Sequence, residues 1–270
     1  MTVTPMNYFR LLAGMSAADI AREVKKPSAL LMDREATRKG ELSVAYAPFD
    51  HVNREARIVI VGITPGATQM EAGLHAVRSG YLMGLPEEQI LERAKTHASF
   101  SGDMRSELVT LLDYIGMNRA LGIETAADLW GAAGHLAHFT SALRYPTFID
   151  GANYNGTPAV KASPLLSRHA QLWFGSEAKE LGEAVFVLLG PKVDEIALPI
   201  LRSAGVTDDR IISDFCHPSG ANRERLRYFT KTLGKEPSAK VDKAKTDANR
   251  AVIVAKVAAI AGRWRGMTVV

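Results

Sequence analysis

The residue types best suited to chemistry sit in two short turns, Gly62-Ile63-Thr64-Pro65-Gly66 and His217-Pro218-Ser219-Gly220. Each follows an apolar run that reads as a buried strand: Ile58-Val59-Ile60-Val61 before the first, Ile211 to Cys216 before the second. In a parallel α/β sheet, ligands bind outside the carboxyl ends of the strands. The glycines of the first turn let a ligand approach the backbone and meet its N–H groups. The histidine of the second can donate a hydrogen bond to an atom that gains negative charge during a reaction. Ser219 and the N–H groups around it can hold a phosphate. The plain alternatives are an ordinary βα turn for the first motif and, for His217, a histidine that caps a strand end on a backbone carbonyl.

With Val187-Leu188-Leu189-Gly190 between them, the two turns resemble motifs of the uracil-DNA glycosylase superfamily in order and separation. The resemblance covers about 57–233. The first turn is similar to the superfamily's water-activating motif, which the mismatch-specific and single-strand-selective branches write Gly-x-Asn-Pro-Gly. The second is similar to the His-Pro-Ser motif that contacts the uracil and the DNA backbone. The resemblance implies hydrolysis of the N-glycosidic bond of uracil, or of another deaminated or damaged base, flipped out of DNA. It implies no cofactor. By the same resemblance His217 stands at the leaving base and Thr64 at the attacking water. Contacts to substrate or DNA would come from Gly62, Ile63, Pro65, Gly66, Pro218, Ser219, Gly220, Asn222, Arg223 and Arg225. Asn153 and Tyr154, in a turn-rich loop, can recognise or stack on a base, although turn chemistry explains them equally.

Thr64 stands where those branches mostly place Asn or Asp. A threonine hydroxyl can orient a water but is no useful base at neutral pH. Glu71 and Asp103 are candidate substitutes. After the His-Pro-Ser motif come Gly220-Ala221-Asn222-Arg223, with no large apolar wedge to fill the gap left by a flipped base. Gly66, where strict uracil enzymes carry a bulky tyrosine, leaves a wider pocket. A non-catalytic relative that binds DNA or a nucleobase is therefore the alternative. A dinucleotide site has little support, because no Gly-x-Gly-x-x-Gly follows a strand.

Elements must position these turns. Apolar residues make up 47% of the 270, enough for a real core, and the charged share of 23% is ordinary. The expected fold is α/β: three α/β/α layers around a mostly parallel sheet of about four strands, glycosylase-like, in one domain. Its core would span about 57–233, with a helical extension over 1–56 and a basic linker and helix over 234–270. Strands are expected over Arg57–Val61, His138–Leu143, Val185–Gly190 and before His217. Helices are expected over Ser16–Lys25, from Pro86, and over Ser106–Ile115, Val193–Ala204, Asn222–Leu233 and Arg250–Arg265. Asp33–Asn53 reads mostly as loop and Lys235–Arg250 as linker.

The net charge of +4 permits an anionic partner such as DNA without demanding one. A single cysteine, Cys216, can form no internal disulfide and cannot hold an iron–sulfur cluster that needs four thiolates. No metal site is expected, since His135 and His138 lack partners at ligand spacing. The start lacks a signal-peptide pattern, and the longest apolar stretch, Ala251–Ala261, is broken by Lys256 and too short for a bilayer. No membrane contact is expected, and a cytoplasmic location is.

Overall fold

Alternating apolar runs and turn signals fold into eight strands and eleven α-helices in the computed structural model, which describes residues 5–267. In chain order they are α1 (Pro5–Ala13), α2 (Ala17–Lys25), β1 (Leu31–Thr37), β2 (Gly40–Ala45), β3 (Ile58–Gly62), α3 (Ala67–Leu82), α4 (Glu87–Ala98) and α5 (Asp103–Tyr114). Then follow α6 (Met117–Leu121), β4 (Ala137–Ser141), β5 (Thr147–Ile149), β6 (Ala152–Asn153), α7 (Pro164–His169) and α8 (Gly175–Glu180). The chain closes with β7 (Val185–Leu188), α9 (Pro191–Ser203), β8 (Ile211–Ile212), α10 (Arg223–Phe229) and α11 (Lys243–Met267). The class is mixed α/β.

One four-stranded sheet has the order β4-β3-β7-β8. Val59 pairs with Phe186 and Val187 with Ile212, both in parallel register. Every residue of β3, β7 and β8 is buried, as parallel strands with continuous β-branched and aromatic runs require. Because β3, β7 and β8 run the same way, the chain leaves all three at one end of the sheet. In the chain, Gly62–Gly66 follows β3, and His217–Gly220 follows β8 after Ser213–Cys216.

The chain forms two compact units. The first gathers residues up to Asn53, Gly62–Ser101 and Phe139–Glu180; the second gathers Arg54–Val61, Gly102–His138 and Leu181 onward. The first holds a sheet that the sequence reading does not anticipate: antiparallel, four-stranded, in the order β1-β2-β5-β6. Asp33–Asn53 is therefore not mostly loop, and the N-terminal stretch is not helical throughout. Asp33, Arg34 and Glu35 give β1 a polar composition that resembles a loop, yet an edge strand carries such charges to discourage further pairing. Leu42, Val44 and Ala45 of β2 face the core, and the register Thr37↔Gly40 closes a two-residue hairpin over Arg38-Lys39.

Helix boundaries follow their caps. Ser16 and Asp19 form a reciprocal capping box at the start of α2. The last helix begins at Lys243, not Arg250, because the Asp242 carboxylate accepts the Lys245 N–H at 2.9 Å and starts it earlier. Among the described residues, no helix is long and apolar enough to cross a membrane.

Candidate functional site

The first turn is tied down on both sides. Its carbonyls at Gly62 and Ile63 accept the N–H groups of Ala142 (2.9 Å) and Leu143 (2.8 Å), extending the pairing beyond β4. A side chain on Gly62 would meet Phe100 and the Ser141 hydroxyl, each about 3.4 Å from its first carbon. The absent side chain thus lets the strand end sit against both. The Thr64 hydroxyl is already engaged: it donates to the Tyr145 carbonyl (2.9 Å) and accepts the Thr147 N–H (3.0 Å). Of its hydrogen-bonding capacity, one lone pair is left for a water or ligand.

Asn153 joins this turn. Its side-chain oxygen accepts the Ala67 N–H at 3.0 Å, satisfying one of the free donors at the start of α3, just after Gly66. Tyr154 is buried, with its hydroxyl donated to the Pro158 carbonyl. Glu71 lies half-buried one turn into α3.

A narrow cleft of about 10 Å³, room for roughly one water, lies beside the turn. Phe49, Phe100 and Phe139 give it aromatic walls, and Pro65 and Gln69 line it from the turn and from α3. Ser99, Thr140, Ser141 and Arg144 supply the polar lining. Its volume falls below the roughly 300–1,000 Å³ of pockets for drug-sized ligands.

Behind the polar lining lies Glu177, fully buried. The Thr140 hydroxyl donates to it at 2.5 Å, Arg144 Nε at 3.0 Å, and Lys95 Nζ stands 3.6 Å away. Lys95 is only 2% exposed; burial pulls its ammonium down to about 8, partly offset by Glu177. Its Nζ also donates to the His51 carbonyl at 2.5 Å. Asp50 accepts from the Tyr46 hydroxyl (3.1 Å) and the Tyr145 hydroxyl. Burial raises the Asp50 carboxyl, while Tyr145 and Arg144 pull it back.

The second turn, in the other unit, has its own supports. Gly190 takes φ +101°, and a side chain there would come within 3.1 Å of the His217 Cβ. His217 is half-buried, and that burial holds its imidazole below the ordinary value of 6.5. The ring is therefore neutral at pH 7 and carries one N–H donor. Pro218 is buried and Gly220 exposed. Asn222 Nδ2 donates to Ser219 Oγ at 3.0 Å, and Arg225 reaches Asn222 Oδ1 at 3.5 Å and the Lys240 carbonyl at 3.4 Å. Arg223 forms an ion pair with Glu107 at 3.1 Å, with Asp103 at 3.8 Å. Asp103 is thus an exposed partner of Arg223 in the second unit. Cys216 is buried, and its thiol is pushed up to about 11, which leaves it unreactive at neutral pH.

Asp194, on α9 four residues after Gly190, accepts the Asp214 N–H at 2.9 Å through Oδ2, while Oδ1 has no hydrogen-bond partner. Burial pushes its carboxyl up to about 6, against the Asp214 N–H, which pulls it down. The folded value lies above the ordinary aspartate value of 3.8, so the folded chain holds this proton more tightly than the unfolded chain. The stability it confers is complete below 3.8 and is lost as pH rises through 6. The wild-type melting temperature, relative to Asp194→Asn, should therefore climb as pH falls from 7 to 4. A difference that stays constant over that range would assign the strain elsewhere.

Sequence reading alone misses the cleft's aromatic walls and the Glu177 cluster. Two signals were present. Lys95 occupies the apolar stripe of Leu91, Ala94 and Ala98, and Glu177 lies between Phe174, Ala178 and Leu181. A charge on a buried stripe must have a partner.

Fold and site together define an α/β chain whose parallel sheet ends in glycine-rich turns, one of them beside an aromatic cleft. The chain belongs to the family of "Uncharacterized protein YoxB" of Bacillus subtilis (strain 168), with which it shares 38% identity over 197 residues, 72% of this chain and 77% of YoxB. No family profile and no solved structure matches the chain.

Proposed function

We propose that this protein is a DNA glycosylase of the uracil-DNA glycosylase type, acting in the cytoplasm on uracil or another deaminated or damaged base. The observation that carries this reading is the narrow cleft beside Gly62–Gly66, with three phenylalanine walls and a polar lining, which must open to admit a base. A base within a duplex is out of reach, so it must be extruded into such a pocket. Breaking the glycosidic bond places negative charge on the base, and a neutral imidazole, the role the motif resemblance gives His217, can donate its N–H as that charge appears. Ser219, Asn222, Arg223 and Arg225 then serve the DNA backbone. The three-layer glycosylase fold is part of the same proposal.

One observation favours a second reading, a non-catalytic DNA- or nucleobase-binding relative: the Thr64 hydroxyl spends its proton on Tyr145 and one lone pair on Thr147, leaving a single lone pair for a water. One assay separates the two. Purified protein and Thr64→Asn are tested on oligonucleotides carrying uracil, hypoxanthine, xanthine, and G·U or G·T mismatches, with binding and cleavage at abasic sites read together. Excision of uracil by the wild type, increased in Thr64→Asn, is expected. Inertness of both proteins on every substrate, with DNA still bound, would replace the enzyme by the binding protein.

A further inference from the structure

The first unit holds a larger cavity that shares no residue with the narrow cleft. Its volume is about 290 Å³, near the lower end of the roughly 300–1,000 Å³ of small-molecule pockets. It is a groove along one side of the hairpin that α3 and α4 form. Ala76, Ser79, Gly80 and Met83 line it from α3 at the spacing of one helix face; Ile90, Arg93 and His97 line it from α4 in the same way. The helices come closest at Gly80. A side chain there would stand 3.0 Å from Ile90 Cγ1, so its absence lets Ile90 close the floor. The groove is polarised along its length. Met83 and Leu85, beside the exposed Leu82, make one end apolar, and Met83 is 60% exposed. Arg93 and His97, one turn apart on α4, form the polar end. Arg93 is exposed, and among the described residues no acidic group pairs with it.

We propose that this groove binds an amphipathic monocarboxylate, its head on Arg93 beside His97 and its aliphatic tail along Ala76, Ile90 and Met83 toward Leu85. A guanidinium meets a carboxylate through two parallel N–H bonds, and one such fork answers one negative charge. A doubly charged phosphate would leave half of its charge unanswered by the same arginine. The helix face sets the length of the tail. From Ala76 to Met83 the helix advances about 10 Å, at about 1.5 Å per residue. An extended chain of about eight carbons, with bonds of about 1.5 Å in a zigzag, covers that distance. Both halves of the ligand are needed. A bare carboxylate on an exposed arginine gains little, because water screens the pair. The tail removes apolar surface of Met83 and Leu85 from water and holds the head in place. No residue of this groove serves in the proposed glycosylase reaction, so the two readings stand or fall separately.

The test titrates octanoate, 1-octanol and acetate into the full chain and follows the backbone amides by two-dimensional NMR. Octanol keeps the tail without the charge; acetate keeps the charge without the tail. Octanoate should bind the wild type at least about tenfold more tightly than either, the scale of one charge-assisted hydrogen bond, and should move amides of α3 and α4. Arg93→Gln should bring octanoate down to the affinity of octanol and leave octanol unchanged. Ala76→Phe, at a half-buried position, fills the groove and should weaken both. Octanol matching octanoate in the wild type overturns the proposal, as does a failure of octanoate to bind. Octanoate binding that survives either substitution overturns it too, since the ligand then sits elsewhere. Thermal melts check that each variant is folded. Arg93 is exposed, so Arg93→Gln decides alone should Ala76→Phe fail to fold.

Discussion

His217→Ala is expected to lower the rate of uracil release about a hundredfold or more, the scale of one hydrogen bond made in the transition state. Single-turnover kinetics on a uracil-containing strand would measure it. Affinity for an uncleavable analogue should change far less, because the bond strengthens only as charge develops on the leaving base. The substitution is well suited to the local packing. Gly190 is open toward the His217 Cβ, which alanine retains, so the close approach of the two backbones survives. The pH profile provides a second reading. Burial holds the imidazole below 6.5, so the ring gains its second proton only in acid; that form still donates, and the contribution of His217 should stay level through neutral pH and not fall below it. Full activity in His217→Ala would show that another group carries the leaving base.

What could be read from the sequence and what could not differ by the kind of physics involved. Ile58–Val61 and Val185–Leu188 are legible because a parallel strand buried on both faces needs an unbroken apolar run, which few other elements show. The turns beyond β3 and β8 are legible for the same reason, as punctuation after such runs. The hairpin of β1 and β2 is not, since an edge strand covered on one face keeps Asp33, Arg34 and Glu35 within it. The cleft lining is hidden more deeply. Phe49, Phe100 and the Phe139–Arg144 stretch come from three separate places in the chain, and no local spacing joins them. Thr64 shows the limit of reading a motif by residue type: its position suits a water, yet its hydroxyl is spent holding Tyr145 and Thr147 to the turn. Asn153 is the converse, a loop residue of ambiguous role that proves to cap α3 beside Gly66.

Glu177→Ala should produce the largest change in stability. It leaves Arg144 and Lys95, 7% and 2% exposed, as buried cations without their shared carboxylate. Breaking a buried ion pair from one side costs about 3–5 kcal/mol, mostly the penalty of the stranded charge. For a chain of this size, that corresponds to a fall in melting temperature of roughly 6–20 °C. Glu177 holds the Lys95 ammonium up at about 8 against burial, so the variant releases that proton below 8; the loss should therefore shrink as pH rises toward 8 and level off above it. Arg144 has no such escape, because its guanidinium stays charged. Adding Lys95→Met and Arg144→Met to Glu177→Leu removes the carboxylate and both of its cations at similar volume and should recover much of the lost stability, as apolar replacement of buried ion pairs does elsewhere.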